Sequence, residues 1–267
     1  MQTSLIITTY NWKEALQLSL QSAFAQTCLP DEIIIADDGS RSDTAELIRQ
    51  MAPSSPVALI HSWQEDKGFR LSMSRNKAIA QASGEYILLI DGDIVLDPHF
   101  VEDHLAFALR GHFIQGSRTL MNERLSTEIL QSGHVQLSFW RNGIGNRKNA
   151  LRSPLLARLF RCKSTSVTGI RCNFSFWKAD AVHVNGYNEE FSGWGREDSE
   201  FAARLLHSGV QRINLRFCAL AHHLHHLTGV RDRLAINDRI LQQTLEEKRV
   251  WCERGINQYL ELFSGQG

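Results

Sequence analysis

The strongest constraint on the fold is an alternation in the first 115 residues. Short apolar runs at residues 5–8, 32–36, 57–61 and 86–90 are separated by amphipathic stretches at 13–26, 44–51 and 71–82. Runs of four or five apolar residues are strand-length, whereas Ala15, Leu16, Leu18, Leu20, Ala23 and Phe24 recur at close to helical spacing. Strands alternating with helices build βαβ units around a largely parallel sheet. The first helix is expected to end before Pro30, with Ser42 or Asp43 capping the second.

In an open α/β sheet, ligands bind in the crevice beyond the carboxyl ends of the strands. Three of these strands deliver polar residues there: Thr8-Thr9-Tyr10-Asn11, Asp37-Asp38-Gly39-Ser40 and Asp91-Gly92-Asp93. They are expected to converge on one site. Asp91 and Asp93 offer hard oxygen ligands suited to Mn²⁺ or Mg²⁺ bridging a diphosphate, with Gly92 letting a ligand approach the backbone. The same three residues would also make a solvated turn. Asp37 and Asp38 fit an acidic turn equally well, but a strand-end carboxylate beside Thr8 and Tyr10 can also accept a hydrogen bond from a uracil-like imide.

The second half is less regular. A passage rich in glycine and aromatics, Gly186-Tyr187-Asn188-Glu189-Glu190-Phe191 then Gly193-Trp194-Gly195-Arg196-Glu197-Asp198, predicts a tight loop that exposes an indole on which a sugar ring can stack. Asp198 is expected to open a helix over 198–206, its carboxylate kept ionised by the backbone amides and able to accept a proton from a hydroxyl. An ordinary helix cap beside a structural tryptophan is the competing reading. A strand before His222 and a helical tail over 238–253 complete the chain. His222, His223, His225 and His226 follow that strand; extended backbone would put His223 and His225 on one face, and one imidazole could join the Asp93 carboxylate on a metal. The other histidines read as polar surface or phosphate contacts.

Across 267 residues, 29 basic and 29 acidic side chains cancel, which argues against wholesale nucleic-acid binding, and 43% hydrophobic with 22% charged residues argues against disorder. The cancellation is uneven: residues 1–128 carry a net −7, residues 129–179 contain no acidic residue and nine basic ones, and residues 180–267 carry −2. Within the acid-free segment, residues 149–160 mix leucines with Arg152 and Arg158, with Arg161 just beyond. This reads as a basic amphipathic helix with Pro154 in its first turn, suited to an anionic acceptor or anionic membrane face, or as a solvated basic loop. Five scattered cysteines without a CxxC pair suggest a reducing compartment. With no basic segment ahead of Leu5 and no apolar run near the roughly 18 residues of a spanning helix, no signal peptide is expected and membrane contact would be peripheral.

In order and spacing, these motifs, with Gly68-Phe69-Arg70 and Arg75-Asn76-Lys77-Ala78-Ile79, closely resemble inverting family 2 glycosyltransferases of the GT-A fold. The carboxyl-terminal part is similar to that of galactosyltransferases and chondroitin-polymerase-type enzymes. The resemblance implies a Rossmann-like, mostly parallel central sheet flanked by helices, with a donor-binding half at 1–115, an acceptor-binding and catalytic half at 116–230, and a tail at 231–267. It implies that Thr8, Tyr10 and Asp38 hold the uracil and ribose of a UDP-sugar, with Arg75 near the base or phosphates and Asp91 and Gly92 at the ribose or donor sugar. Asp93 and His223 would hold Mn²⁺ or Mg²⁺, Trp194 and Glu197 would bind sugar, and Asp198 would be the base. The acceptor would be a glycan or lipid-linked glycan of a bacterial surface polysaccharide or lipopolysaccharide, made in the cytoplasm or at the cytoplasmic face of the inner membrane, with residues 141–171 as the membrane-facing part. A sugar-nucleotide pyrophosphorylase would instead place a Gly-rich, Arg-bearing loop after the first strand, and a non-catalytic carbohydrate-binding protein would not need a metal site and a base together.

Overall fold

A computed structural model describes residues 1–133, 139–171, 173–227 and 231–263. Its first half follows the predicted alternation: β1 (Thr3–Thr9), α1 (Lys13–Phe24), β2 (Glu32–Asp37), α2 (Ser42–Met51), β3 (Ala58–Trp63), α3 (Leu71–Gln81) and β4 (Tyr86–Asp91). Next come β5 (Ile94–Leu96), α4 (Phe100–Phe107), β6 (His112–Gly116), β7 (Arg118–Met121), α5 (Glu123–Ser132), β8 (Ile144–Gly145) and α6 (Pro154–Phe160). The chain continues through β9 (Cys162–Ser164), β10 (Asn173–Trp177), α7 (Lys178–His183), α8 (Glu197–His207), β11 (Gln211–Leu215), β12 (Ala221–His223), α9 (Leu234–Glu246) and α10 (Asn257–Phe263).

Eight strands form the main sheet in the order β3-β2-β1-β4-β10-β6-β11-β9. β3, β2, β1 and β4 are parallel, β10 runs against both β4 and β6, and β6 and β11 are again parallel. Strands from the second half therefore extend the sheet begun by the first. The central stretches of β1, β2 and β4, residues 5–7, 33–36 and 87–90, are apolar and buried because both faces are covered. Leu5, Ile7, Ile33, Ile35, Leu88 and Ile90 pack with α1 on one face, while Ile6, Ile34, Ile87 and Leu89 pack with α3 and α8 on the other. Each such side chain contributes roughly 1.5–3 kcal/mol on burial, enough to fix strand register and hence where the strands end.

A smaller sheet, β5-β12-β7-β8, lies next to the end of β4. β12 runs antiparallel to β5 with His223 opposite Ile94, and parallel to β7 with His223 opposite Leu120. This register brings the histidine-rich segment to the residue after Asp93.

Several expectations need correction. Neither Ser42 nor Asp43 caps α2: the helix starts at Ser42, Arg41 flanks it without a side-chain cap, and Asp43 pairs with Lys13 at 3.2 Å. The tail helix runs over Leu234–Glu246 rather than 238–253, because Lys248 adopts a left-handed φ of 51° that stops the helix. The basic helix shrinks to the seven residues of α6, with Pro154 at its start and Ser153 Oγ accepting from Leu156 N at 3.4 Å. Arg152 is not part of a basic face: it makes a two-pronged pair with the buried Asp103, at 3.0 and 2.6 Å. Cys28, Cys162, Cys218 and Cys252 are free thiols, and Cys172 lies outside the described residues. Among the described residues, no helix is long and apolar enough to cross a membrane.

Candidate active site at the carboxyl ends of the strands

The three polar strand ends do meet. Thr8 stands opposite Ala36 on β2 and Asp91 on β4, and Thr9 stands opposite Asp37. Thr8 Oγ1 donates to Asp91 Oδ1 at 3.0 Å, tying the end of β1 to the Asp91-Gly92-Asp93 turn. Gly92 is required by the protein's own backbone: a Cβ there would sit 2.6 Å from the Thr8 carbonyl oxygen.

Asp38 is buried, and both of its oxygens are occupied. Gln64 Nε2 donates to Oδ1 at 2.6 Å and the Arg70 backbone N–H to Oδ2 at 2.7 Å. Burial raises its pKa against the lowering effect of these donors. Its neighbour Asp37 accepts from Ser40 N and faces His61 Nε2. Tyr10 is half exposed, its hydroxyl donating to Asp66 at 3.0 Å.

Arg75 departs most from expectation. Instead of facing open space for a base or phosphate, its buried guanidinium is wrapped in protein carboxylates: Nη1 donates to Asp198 Oδ1 at 2.7 Å, Nη2 donates to Asp91 Oδ1 at 3.1 Å, and Glu197 Oε1 stands 3.7 Å from Nη1. The guanidinium also lies over the Tyr187 ring, 5.0 Å from its centre. The adjacent Asn76 holds Tyr187 in place, accepting from its N–H at 2.7 Å and donating to its carbonyl at 2.8 Å. The Tyr187 hydroxyl then donates to Asp198 Oδ1 at 3.2 Å.

Asp198 is the second residue of α8, not its opening residue. Burial raises its pKa, opposed by Arg75 and by the Tyr187 hydrogen bond, so the helix amides do not hold it in the ordinary carboxylate range. Glu197 is raised as well, by burial and by repulsion from Asp198. Its Oε1 belongs to the Arg75 cluster, and its Oε2 is buried without a partner. Among the described residues Asp198 Oδ2 carries no protein hydrogen bond, both hydrogen bonds to this carboxylate being to Oδ1.

Trp194 is 41% exposed, as the flanking glycines suggest, and the Arg231 guanidinium covers part of its ring at 4.7 Å. Gly195 has a φ of 104°, accessible at no steric cost only to glycine. The buried Asn237 of α9 fixes this loop by donating to the carbonyls of Ser192 (3.2 Å) and Gly195 (3.0 Å).

Asp93 meets two histidines. Its Oδ2 is 3.4 Å from His223 Nε2 and 3.1 Å from His226 Nε2. Potential ligand atoms of Asp93, His223 and His226 all lie within 4.8 Å of one another, and Asp93 Oδ1 is buried without a partner. One carboxylate, two imidazoles and an orphaned buried oxygen fit a divalent cation of the Mn²⁺ type. The pairing of His223 with His225 does not occur, because β12 ends at His223 and the chain turns, bringing His226 back instead. His222 is not surface but buried against Thr119 at 2.8 Å, with its pKa lowered to about 4 by burial. The carboxylate raises His226 to about 9, whereas burial lowers His223.

His226 was one of four histidines among which the sequence left the metal ligand open, and Tyr187 and Asn76 stood in quoted motifs without an assigned role. The density of histidines was the only signal for the first, and the Gly186-Tyr187 passage for the second.

Comparison with known proteins follows this geometry. The family described as glycosyl transferase family 2 matches residues 4–170, and the one described as N-terminal domain of galactosyltransferase matches residues 154–228. The chain belongs to glycosyl transferase family 2. The chondroitin synthase of Escherichia coli is 28% identical over 231 residues, covering 77% of this chain and 32% of that protein. The hyaluronan synthase of Pasteurella multocida is 27% identical over 232 residues (77% and 23%), and the validoxylamine A glucosyltransferase of Streptomyces hygroscopicus subsp. limoneus 26% over 222 residues (78% and 48%). The match thus spans from about a quarter to a half of these relatives' lengths. Among solved structures, S. aureus TarS 1-349 in complex with UDP-GlcNAc aligns with a TM-score of 0.64 at 18% identity, over 99% of this chain and 72% of that one. GalNAc-T7 with UDP, GalNAc and Mn²⁺ aligns with 0.63 at 15% identity, over 86% and 45%. The fold is that of the GT-A glycosyltransferases.

Proposed function

We propose that this member of family 2 transfers a hexose or N-acetylhexosamine from a UDP-sugar to a hydroxyl of a glycan acceptor, with inversion at the anomeric carbon. The observation that carries this reading is the chain of contacts Asp91–Arg75–Asp198 beside the Asp93–His223–His226 cluster, all at the carboxyl ends of the central strands. The UDP-GlcNAc and UDP complexes of the structural neighbours support a UDP-sugar donor.

Asp93, His223 and His226 would hold the metal, which when bound supplies positive charge at the departing diphosphate. Thr8 fixes one oxygen of Asp91, and Asp91 orients the ribose or donor sugar. Tyr10 offers an exposed ring at the same end of β1, and Asp38, held by Gln64 and Arg70, shapes the uracil end. Asp198 accepts the acceptor hydroxyl proton on Oδ2, while Arg75 and Tyr187 hold Oδ1 and fix its orientation. Its raised pKa brings it closer to the working pH, which favours proton transfer to a base. Trp194 gives the acceptor sugar a flat apolar face, and Glu197 acts behind it through Arg75. A carbohydrate-binding module would have no use for this combination of metal cluster and buried base.

The exposed Leu155, Leu159 and Phe160 of α6, with Arg158 and Arg161, form the surface best suited to an anionic membrane. That fits a lipid-linked acceptor in surface-polysaccharide or lipopolysaccharide assembly at the cytoplasmic side.

The transfer reading is tested by UDP release from a panel of UDP-glucose, UDP-galactose and their N-acetylated forms, with Mn²⁺ and a panel of glycan acceptors. Acceptor-dependent release by the wild type, abolished in Asp198→Asn, is expected. Near-normal turnover by Asp198→Asn would remove Asp198 as the base.

A further inference from the structure

A cavity of about 250 Å³ opens beyond the carboxyl ends of β6 and β11 and the amino end of β10. This is just below the scale of small-ligand clefts. Four arginines line it, Arg118, Arg171, Arg212 and Arg216, and none of its lining residues is acidic.

The polar neighbours of these arginines are already committed to holding the walls. Asn173 Nδ2 donates to the carbonyls of Ser117 (2.9 Å) and Ala219 (2.8 Å), and Gln115 Oε1 accepts from the Arg171 N–H at 3.0 Å. Three of the cations, Arg171, Arg212 and Arg216, have no carboxylate partner among the described residues. Arg212 is 6% exposed and spends Nη1 on the carbonyls of Ser166 and Thr168, with no carboxylate partner and with Nε buried and unpaired. Ser117 Oγ is likewise buried without a partner. Among the described residues, the Arg171 and Arg216 side chains make no hydrogen bond or ion pair. A buried cation with no counter-charge is costly, and guanidinium forks match phosphate and carboxylate geometry.

Register fixes the distance to the reaction. Arg118 pairs with Ala221 two residues before His223, about 7 Å along the strand, and Asn173 stands opposite Ile90, next to Asp91.

We propose that this pocket binds an oxyanion, a phosphate, sulfate or carboxylate group, carried by the acceptor glycan, so that the enzyme selects an acidic acceptor. The acceptor part rests on the transferase reading above; the anion site itself does not.

Sulfate is the first probe, titrated calorimetrically into protein already saturated with UDP and Mn²⁺ so that the diphosphate position is taken. Saturable sulfate binding is expected, weakened at least about tenfold in the double variant Arg171→Gln, Arg216→Gln, with UDP affinity unchanged. Both arginines are exposed, so the variant keeps its fold. Absent sulfate binding, or equal binding by both proteins, would overturn the site. Glucose 6-phosphate and glucuronate should compete with sulfate where glucose does not. Competition by phosphatidylglycerol vesicles without competition by these sugars would assign the anion to a lipid headgroup and overturn the glycan assignment. Arginine-dependent sulfate binding by a protein that does not bind UDP would uphold the anion site and defeat the transferase reading instead.

Discussion

Arg75 and Asp198, 123 residues apart in the chain, are joined by a 2.7 Å hydrogen bond from Nη1 to Oδ1. Through it the carboxyl end of β4 and the start of α8 become one electrostatic unit, since the same guanidinium holds Asp91. A single buried cation faces Asp91, Glu197 and Asp198, so the cluster is short of positive charge by itself.

Arg75→Met should therefore destabilise the fold by about 3 kcal/mol, because it leaves buried carboxylates without their counter-ion. Denaturant midpoints at several pH values check this. Glu197 and Asp198 have folded pKa values above their unfolded ones, so the stability they contribute is full below about pH 4 and is lost as pH rises through the raised values. Removing Arg75 raises those values further, and the variant's deficit should be larger at pH 8 than at pH 5. A deficit independent of pH would contradict the electrostatic account.

The acid limb of kcat/KM should lie above the ordinary carboxylate value of about 4, since Asp198 must lose its proton to act and its pKa is raised. Tyr187→Phe removes a hydrogen bond that lowers this pKa, so the limb should move to still higher pH. A limb that stays put in the variant would show that Tyr187 does not tune the base.

Asn237→Ala frees the carbonyls of Ser192 and Gly195 and should loosen the loop that presents Trp194. The expected signature is a raised KM for acceptor with UDP affinity intact. Weakened UDP binding would mean that the loop belongs to the donor side.

If α6 docks on anionic membranes, Leu155→Ser with Leu159→Ser and Arg158→Ala should lower co-sedimentation with phosphatidylglycerol vesicles and leave UDP binding unchanged. Arg152 is unsuitable for such a test because it is bound to Asp103. Equal sedimentation of both proteins would exclude α6 as the contact.

The first half of the fold was legible because β1, β2 and β4 are buried on both faces and the helices between them keep a regular apolar spacing. The polar residues at 8–11, 37–40 and 91–93 therefore fell at strand ends, where they are found. The site's internal bonding was not legible. Arg75 sits in the middle of α3, and its sequence placement near the base or phosphates of a donor carried no sign of the carboxylates of α8 that meet it in the fold. His226 joins Asp93 only because β12 stops at His223, and no spacing rule within the four histidines marks that stop. Asp198 seemed an ionised helix-terminal carboxylate because local reasoning counts backbone amides but cannot count the burial that outweighs them. The uneven charge was visible in the sequence; that part of it closes into a cavity, while Arg152 turns inward to Asp103, depends on the tertiary fold.

The central claim is that Asp93, with His223 and His226, makes UDP binding depend on a divalent cation. Titrating UDP into the wild type and Asp93→Asn by calorimetry, each with and without Mn²⁺, tests it most directly. The account predicts binding by the wild type that strengthens at least tenfold with Mn²⁺ and a variant in which Mn²⁺ has little effect. Equal metal-dependent binding by both proteins, or no UDP binding by the wild type under any condition, would contradict it.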